Sequence, residues 1–438
     1  MARSAPAMEH RQPGLDRLRV AVMFAVVLLH AAIPFAAHPL PGLTWPTRHP
    51  EPSAQIDVLM WSALLLVMPL FFWLSGYGAA QALARDGTHG FLQSRWRRIG
   101  RPGLLFAALL LPIELHLWVG GWVMDGLVTL RKLQSFKLGI YDTGLWGPSN
   151  LWYLQNLILY CGLLASWQAI ITGGTPRLWT DAPRRILLSS WTDRLNKLQC
   201  WLARDWTSPR SSLLLILAGG SLLALRPAIL LGFEHFWWPE PVKFVWLGLF
   251  FAAGATTQRV VRRDPGAISA RASQWSLAAG AGALAASAPL LIAYLKHSSA
   301  VLQHPRLTAN PDPTQLGWTH RFLLAGLIAA GVVLTTRGLA ETALGDRRSA
   351  SSTLQRWSRA SYWIYLIHHP IAAACHLALS RTDWPAEIQF VIAASATLSL
   401  SWASYCSFVE HTFIGAFLDG HPRRVSATRA ASIVKHAA

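Results

Sequence analysis

The chain alternates long apolar runs with short polar segments that are rich in Pro, Gly and basic residues. The runs are about 18 to 25 residues long, enough to cross a hydrocarbon core of about 30 Å at a helical rise of 1.5 Å per residue. The pattern predicts an all-α polytopic membrane protein with about ten spans, forming one domain over residues 1–438. The predicted spans are residues 17–37, 58–82, 102–123, 150–172, 211–232, 242–258, 275–296, 320–338, 358–380 and 387–414.

The composition argues against a soluble enzyme and against a disordered chain. Of the 438 residues, 53% are hydrophobic and only 14% are charged, whereas soluble proteins carry about 25% charged residues. The net charge is +18, but the basic residues lie between apolar runs, so nucleic acid binding is the weaker interpretation. The four cysteines lack the spacing of a metal site, and we expect neither bound metal nor a disulfide framework.

The distribution of basic residues predicts the orientation in the membrane. With ten spans and a cytoplasmic N-terminus, most of the 39 Lys and Arg residues fall in cytoplasmic segments. We therefore expect a cytoplasmic N-terminal tail (1–16), a cytoplasmic C-terminal tail (415–438) and a basic cytoplasmic loop (173–210). The loop pattern is typical of a helix lying on an anionic membrane surface, with ligand binding as the alternative.

The first span contains two ionisable residues, which are functional candidates because each costs about 2.5 to 3.5 kcal/mol to insert. Arg19 and His30 are eleven residues apart, so they share one helix face and lie about 16 Å apart along the axis. A neutral imidazole near mid-membrane can accept a proton, as a general base does. It can equally hydrogen-bond a neighbouring helix, and this span alone does not separate the two interpretations.

A cluster of basic residues follows the second span. Arg95, Arg97, Arg98 and Arg101 lie just before Pro102, at the predicted start of a helix. Guanidinium groups at a helix N-terminus indicate a site for phosphate groups. The preference of basic residues for cytoplasmic loops explains some of these arginines, but hardly all four.

Further polar residues occur in the other predicted spans. Helix packing is favoured over nucleophilic catalysis for Ser75, and we expect Glu114 to orient a histidine or to face a polar cavity. Asn150 and Trp152 are predicted at the outer end of the fourth span. His368 and His369 lie in the ninth span, where adjacent side chains point about 100° apart and do not suit haem ligation.

Five segments, in this order, resemble the acyltransferase 3 family of bacterial integral-membrane acyltransferases. Within that family, the chain is most similar to the branch associated with succinylation of osmoregulated periplasmic glucans. The segments are Asp16-x-x-Arg19 with His30 eleven residues on, FFWLSGYG at 71–78, Arg95-x-x-Arg98-Ile-Gly-x-Pro102, LWYLQNL at 151–157 and SYWIYLIHHPI at 361–371.

The resemblance implies transfer of an acyl group from a cytoplasmic acyl-CoA, with succinyl expected and acetyl open, to a hydroxyl of a periplasmic glucan or other envelope glycan. It implies a multi-pass protein of the bacterial inner membrane with no permanently bound cofactor. Direct transfer and an acyl-His30 intermediate both remain open, as does the oligomeric state, a homodimer included. A transporter or flippase of a glycan or lipid is the rival function.

The resemblance and the burial expected for polar residues define two candidate sets. The catalytic set comprises His30, Arg19, Tyr365, His368, His369 and Glu114. The substrate-binding set comprises Asp16, Arg95, Arg97, Arg98, Arg101, Ser75, Asn150 and Trp152.

Overall fold

The computed structural model describes residues 12–40, 43, 45–135, 147–171, 208–227, 237–264, 266–300 and 317–420. These residues are mainly helical, and an isolated β-bridge pairs Ala36 with Ser53. The helices are α1 (Pro13–Ala32), α2 (Ala54–Arg95), α3 (Arg101–Met124), α4 (Trp152–Ile171), α5 (Pro209–Leu225), α6 (Pro241–Arg263), α7 (Ala270–Ala300), α8 (Trp318–Gly345), α9 (Ser352–Leu379), α10 (Ala386–Ser404) and α11 (Phe413–Asp419). Shorter turns are 3₁₀ at Ile33–Phe35 and Ser149–Leu151, α-helical at Lys132–Ser135, and π-helical at Trp96–Gly100 and Tyr405–Val409.

A helix lies at each of the ten predicted spans, which confirms the all-α polytopic membrane fold. Among the described residues, seven helical segments are long and apolar enough to cross a membrane, and one of them, Ala54–Met124, contains two predicted spans. The α5 helix is shorter than such a span, and α9 is more polar. Most of the predicted basic loop 173–210 and of both terminal tails lies outside the described residues.

The connection between α2 and α3 corrects one expectation. The π turn Trp96–Gly100 continues α2 into α3, so α3 does not begin with an unpaired Arg101 amide. The Arg101 amide donates to the carbonyl of Trp96. The arginine cluster therefore has no exposed helix N-terminus to offer to an anion, and that part of the prediction is wrong. The break in helical geometry lies instead at Gly87, whose φ of +67° is readily adopted by glycine.

The α1 helix is central, since it packs against α2, α8, α9 and α10. Close helix crossings hold the surrounding bundle together. Cβ atoms added at Gly76 and Gly254 would each lie 1.9 Å from a backbone oxygen of the facing helix, α6 and α2 respectively. Small residues permit this approach of α2 to α6, and Gly76 therefore has a role in helix packing.

Candidate active site

A large cavity opens at the end of the bundle where α1 begins. Its volume is about 1190 Å³, and we call it the basic cavity because several arginines line it. It reaches the surface, since the exposed residues Gln93 and Arg97 are part of its wall. Residues of the two candidate sets that line it are Asp16, Arg19, Ser75, Arg95, Arg97, Arg98 and Tyr365.

A second, smaller cavity lies further along the same helices. Its volume is about 100 Å³, and we call it the apolar cavity because most of its wall is aliphatic or aromatic. Members of the candidate sets in its wall are His30, Asn150, Trp152 and His369.

The two cavities follow one another along four helices. Along α1 the wall passes from Arg19 in the basic cavity to Val26 and His30 in the apolar cavity, and along α9 it passes from Tyr365 to His369. The same change occurs along α2 and α4. The cavities therefore approach each other end to end, and His30 lies just beyond the boundary.

Hydrogen bonds fix the tautomers of His30 and His368. The Nδ1 atom of His368 lies 2.8 Å from the Tyr365 carbonyl oxygen and 3.1 Å from the Ile364 carbonyl oxygen. Because carbonyl oxygens only accept hydrogen bonds, this nitrogen carries a proton. In the neutral ring Nε2 is then an acceptor, and it lies 3.2 Å from Nδ1 of His30. The His30 Nδ1 also lies 2.9 Å from the Val26 carbonyl. The proton of neutral His30 is thus on Nδ1, and its Nε2 lone pair can accept a proton.

His369 forms a second pair, with Glu114 of α3. Its Nδ1 lies 3.0 Å from Oε1 of Glu114, and both side chains are buried. The ring stacks on Trp118, with centroids 5.3 Å apart, and meets His30 edge-on at 4.9 Å. Glu114 therefore orients a histidine of a neighbouring helix, and that histidine is His369.

Trp45 and His376 complete the surroundings and were missed by the sequence analysis. The Trp45 indole donates to Nδ1 of His376 at 3.0 Å, and Nε2 of His376 donates to the Ala31 carbonyl at 3.1 Å. Both nitrogens of His376 are occupied, which indicates a structural role. The Trp45 ring meets His369 edge-on, so this pair fixes one side of the site.

Asn150 and Tyr365 join two elements at the boundary between the cavities. The Tyr365 hydroxyl donates to the Asn150 carbonyl, and the Asn150 side chain donates to the Tyr365 and Leu366 carbonyls at 3.3 and 3.4 Å. Nearby in the basic cavity, Ser75 shares a hydrogen bond of 2.5 Å with Tyr153. Tyr153 lies in the LWYLQNL segment, and that was the available sequence signal for it.

The arginines differ in their positions. Arg19 donates to Asp16 at 3.0 Å and to the Ser358 hydroxyl at 3.1 Å, and Ser358 in turn donates to Asp16. Arg101 does not line the basic cavity, and its guanidinium lies over the ring of Phe417 instead. The structure thus brings Arg95, Arg97 and Arg98 to the cavity together with Arg19, and leaves Arg101 outside.

Three imidazoles close together suggest a metal site, which the geometry does not support. Both nitrogens of His368 already have partners. Within the described ranges there is no group of three or more His, Cys, Asp or Glu side chains arranged to hold a metal ion. The cluster is better suited to moving protons.

The chain is similar to a known family of proteins. The family described as "Acyltransferase domain" matches residues 12–406 of the chain. No curated protein and no solved structure matches the chain.

Proposed function

The chain belongs to this acyltransferase family, and on that premise we propose that it transfers a succinyl group from succinyl-CoA to a hydroxyl of a periplasmic glucan or related envelope glycan. The observation that carries the proposal is the end-to-end approach of a basic and an apolar cavity at His30. The choice of succinyl and glucan rests on the resemblance of the motifs to the family branch associated with succinylation of osmoregulated periplasmic glucans.

The basic cavity is the proposed site of the coenzyme. Arg95, Arg97 and Arg98 lie in its wall, and guanidinium groups bind phosphate through paired, charge-assisted hydrogen bonds. The uncharged arm of the coenzyme then extends past Arg19 toward His30. The proposal requires the basic end of the bundle to lie at the cytoplasmic face of the inner membrane, where acyl-CoA is available.

In the proposed reaction, His30 acts as a general base. The acceptor hydroxyl oxygen attacks the thioester carbonyl carbon while its proton passes to Nε2 of His30. The carbon–sulfur bond of the resulting tetrahedral intermediate then breaks, and the coenzyme sulfur takes the proton from His30. The products are the acylated glycan and free coenzyme A, and the base is regenerated.

His369 is the proposed donor to the developing oxyanion. It lies in the wall of the apolar cavity beside His30, and the contact of its Nδ1 with Glu114 holds the ring in place. The hydroxyl of Tyr365 is less suitable, because it already donates to Asn150. We therefore assign Tyr365 and Asn150 to positioning rather than to proton transfer.

Mass spectrometry of periplasmic glucans tests the proposal. Cells with the protein should show added succinyl groups, and cells with His30→Ala should not. His116→Ala is a matched control, because His116 is exposed on the helix of Glu114 and lies outside both cavities. Unchanged glucans in cells that contain the wild-type protein would contradict the proposed acceptor.

A labelled acyl donor distinguishes transfer from transport. A transferase leaves the labelled acyl group covalently attached to the glycan, whereas a transporter or flippase moves its substrate without forming a bond. Label recovered only as free donor or free acid would favour the transport function.

A further inference from the structure

Tyr362 lies on α9, in the wall of the basic cavity. Its hydroxyl oxygen is buried and has no hydrogen-bond partner. A buried hydroxyl without a partner has lost its bonds to water and gained none in return, so such groups are rare in folded proteins. A polar group in this state beside a cavity indicates a ligand that completes its hydrogen bonding.

The other hydroxyl groups near the inner end of the basic cavity already have partners within the protein. They belong to Ser75, Tyr153, Ser361 and Tyr365. Among the described residues of this wall, the other buried side-chain atoms without a partner are Oε1 of Gln12, at the start of α1, and Nε of Arg95, at the end of α2. Within the described part of the inner wall, Tyr362 therefore carries the hydroxyl that is still available to a ligand.

The position of Tyr362 along α9 places it on the path from Arg19 to His30. One turn before it, Ser358 accepts a hydrogen bond from Arg19. Two turns after it, the ring of His369 meets that of His30 edge-on. The axial distance from Tyr362 to His369 is about 10 Å at a rise of 1.5 Å per residue.

The arm of coenzyme A carries an inner amide group next to the sulfur and an outer amide group nearer the phosphates. In an extended arm, at about 1.2 Å per bond, the inner amide lies about 5 Å from the thioester carbonyl carbon and the outer amide about 10 Å from it. With the carbonyl at His30, the outer amide is level with Tyr362. The side chains of Phe71, Leu74 and Leu157 line the same cavity and suit the methylene groups of the arm.

We propose that the Tyr362 hydroxyl donates a hydrogen bond to the outer amide of the coenzyme arm and so holds the thioester at His30. The inference rests on the proposed function, which places the coenzyme in the basic cavity. Arg95, Arg97 and Arg98 then bind the phosphate groups, whereas Tyr362 sets how far the arm reaches into the bundle. Because the hydroxyl has no partner within the protein, no internal bond must break when it binds the amide.

Binding and transfer assays on the full-length protein in lipid nanodiscs test this assignment. Tyr362→Phe removes the hydroxyl and keeps the ring. We expect it to weaken binding of coenzyme A about 2- to 10-fold, the loss of one neutral hydrogen bond. Binding of adenosine bisphosphate, which lacks the arm, should not change. In transfer assays the KM for acyl-CoA and for acyl-pantetheine should rise by the same factor. The KM for the acyl thioester of N-acetylcysteamine, which has only the inner amide, should not change.

Two controls separate the arm from the rest of the protein and from the phosphates. Tyr294→Phe, at a buried tyrosine of α7 outside both cavities, should change none of these values. Arg98→Ala should weaken binding of coenzyme A and of adenosine bisphosphate, and should leave the KM for acyl-pantetheine unchanged. Thermal unfolding of ligand-free Tyr362→Phe should occur at the wild-type temperature or above it, since the hydroxyl that is removed has no partner.

Several results would overturn the assignment. Unchanged binding of coenzyme A to Tyr362→Phe shows that the hydroxyl does not contact the arm. Equal weakening of coenzyme A and adenosine bisphosphate, or a raised KM for the N-acetylcysteamine thioester, shows an effect that does not depend on the outer amide. A lower unfolding temperature of the ligand-free variant shows a structural role. If the wild-type protein transfers no acyl group, the proposed function fails, whereas the titration with coenzyme A still decides the role of Tyr362.

Discussion

The two histidines that share a hydrogen bond should differ strongly in their importance for catalysis. His30→Ala removes the proposed base and should lower kcat by about 10²- to 10⁴-fold, the usual contribution of general base catalysis. His368→Ala removes one of two acceptors for the Nδ1 proton of His30, at 3.2 Å. The nearer acceptor, the Val26 carbonyl at 2.9 Å, remains and preserves the tautomer.

The expected loss for His368→Ala is therefore that of one neutral hydrogen bond. Such a bond contributes about 0.5 to 1.5 kcal/mol, which corresponds to a decrease in kcat of about 2- to 10-fold. Steady-state transfer assays on purified protein measure both values, and thermal unfolding in detergent reports any loss of stability from the buried site. His376→Ala is the control for truncating a buried histidine of the same helix. If His368→Ala lowers kcat as much as His30→Ala, the assignment of the base to Nε2 of His30 is wrong.

Two further predictions concern the basic cavity. Arg98→Ala should raise the KM for acyl-CoA about tenfold, because a charged contact to phosphate is lost. Arg101→Ala should change this KM little, because Arg101 lies over Phe417 and outside the cavity. Equal effects of the two substitutions on the KM would refute this distinction. Gly420 and Gly126 have φ values of +70° and +71°, so alanine at either position should cost about 1 to 2 kcal/mol in thermal unfolding. Only Gly420→Ala should also raise the KM for acyl-CoA, because its Cβ would lie 2.8 Å from Cγ of Arg98 while that of Gly126 would meet nothing within 4 Å.

The sequence was most informative where the relevant geometry is local. Arg19 and His30 lie on one helix, and helical periodicity was sufficient to predict that they share a face. The structure adds that they line different cavities, one at each side of a boundary. The positions of the spans could likewise be read from apolar runs, because each span must satisfy its own backbone hydrogen bonds in lipid, and a helix lies at each predicted span.

Contacts between distant segments were not accessible from the sequence. The pairing of Glu114 with His369 depends on how α3 packs against α9, and the position of Trp45 depends on the connection between α1 and α2. The exclusion of Arg101 from the basic cavity has a local cause that α-helical periodicity does not predict. The π turn Trp96–Gly100 changes the number of residues per turn, so Arg98 and Arg101 do not keep the register of an α-helix.

The separation of the two cavities favours group transfer over passage of a whole substrate. Reciprocal hydrogen bonds between Asn150 and Tyr365 hold two elements together at the boundary. A transporter would have to open this boundary wide enough for a glycan or a lipid. An acyltransferase needs only to admit the narrow arm of its donor, because the coenzyme stays on one side and the acceptor on the other. His30, the proposed base, lies just beyond the boundary, so in the proposed reaction the carbonyl would meet an acceptor that never enters the basic cavity.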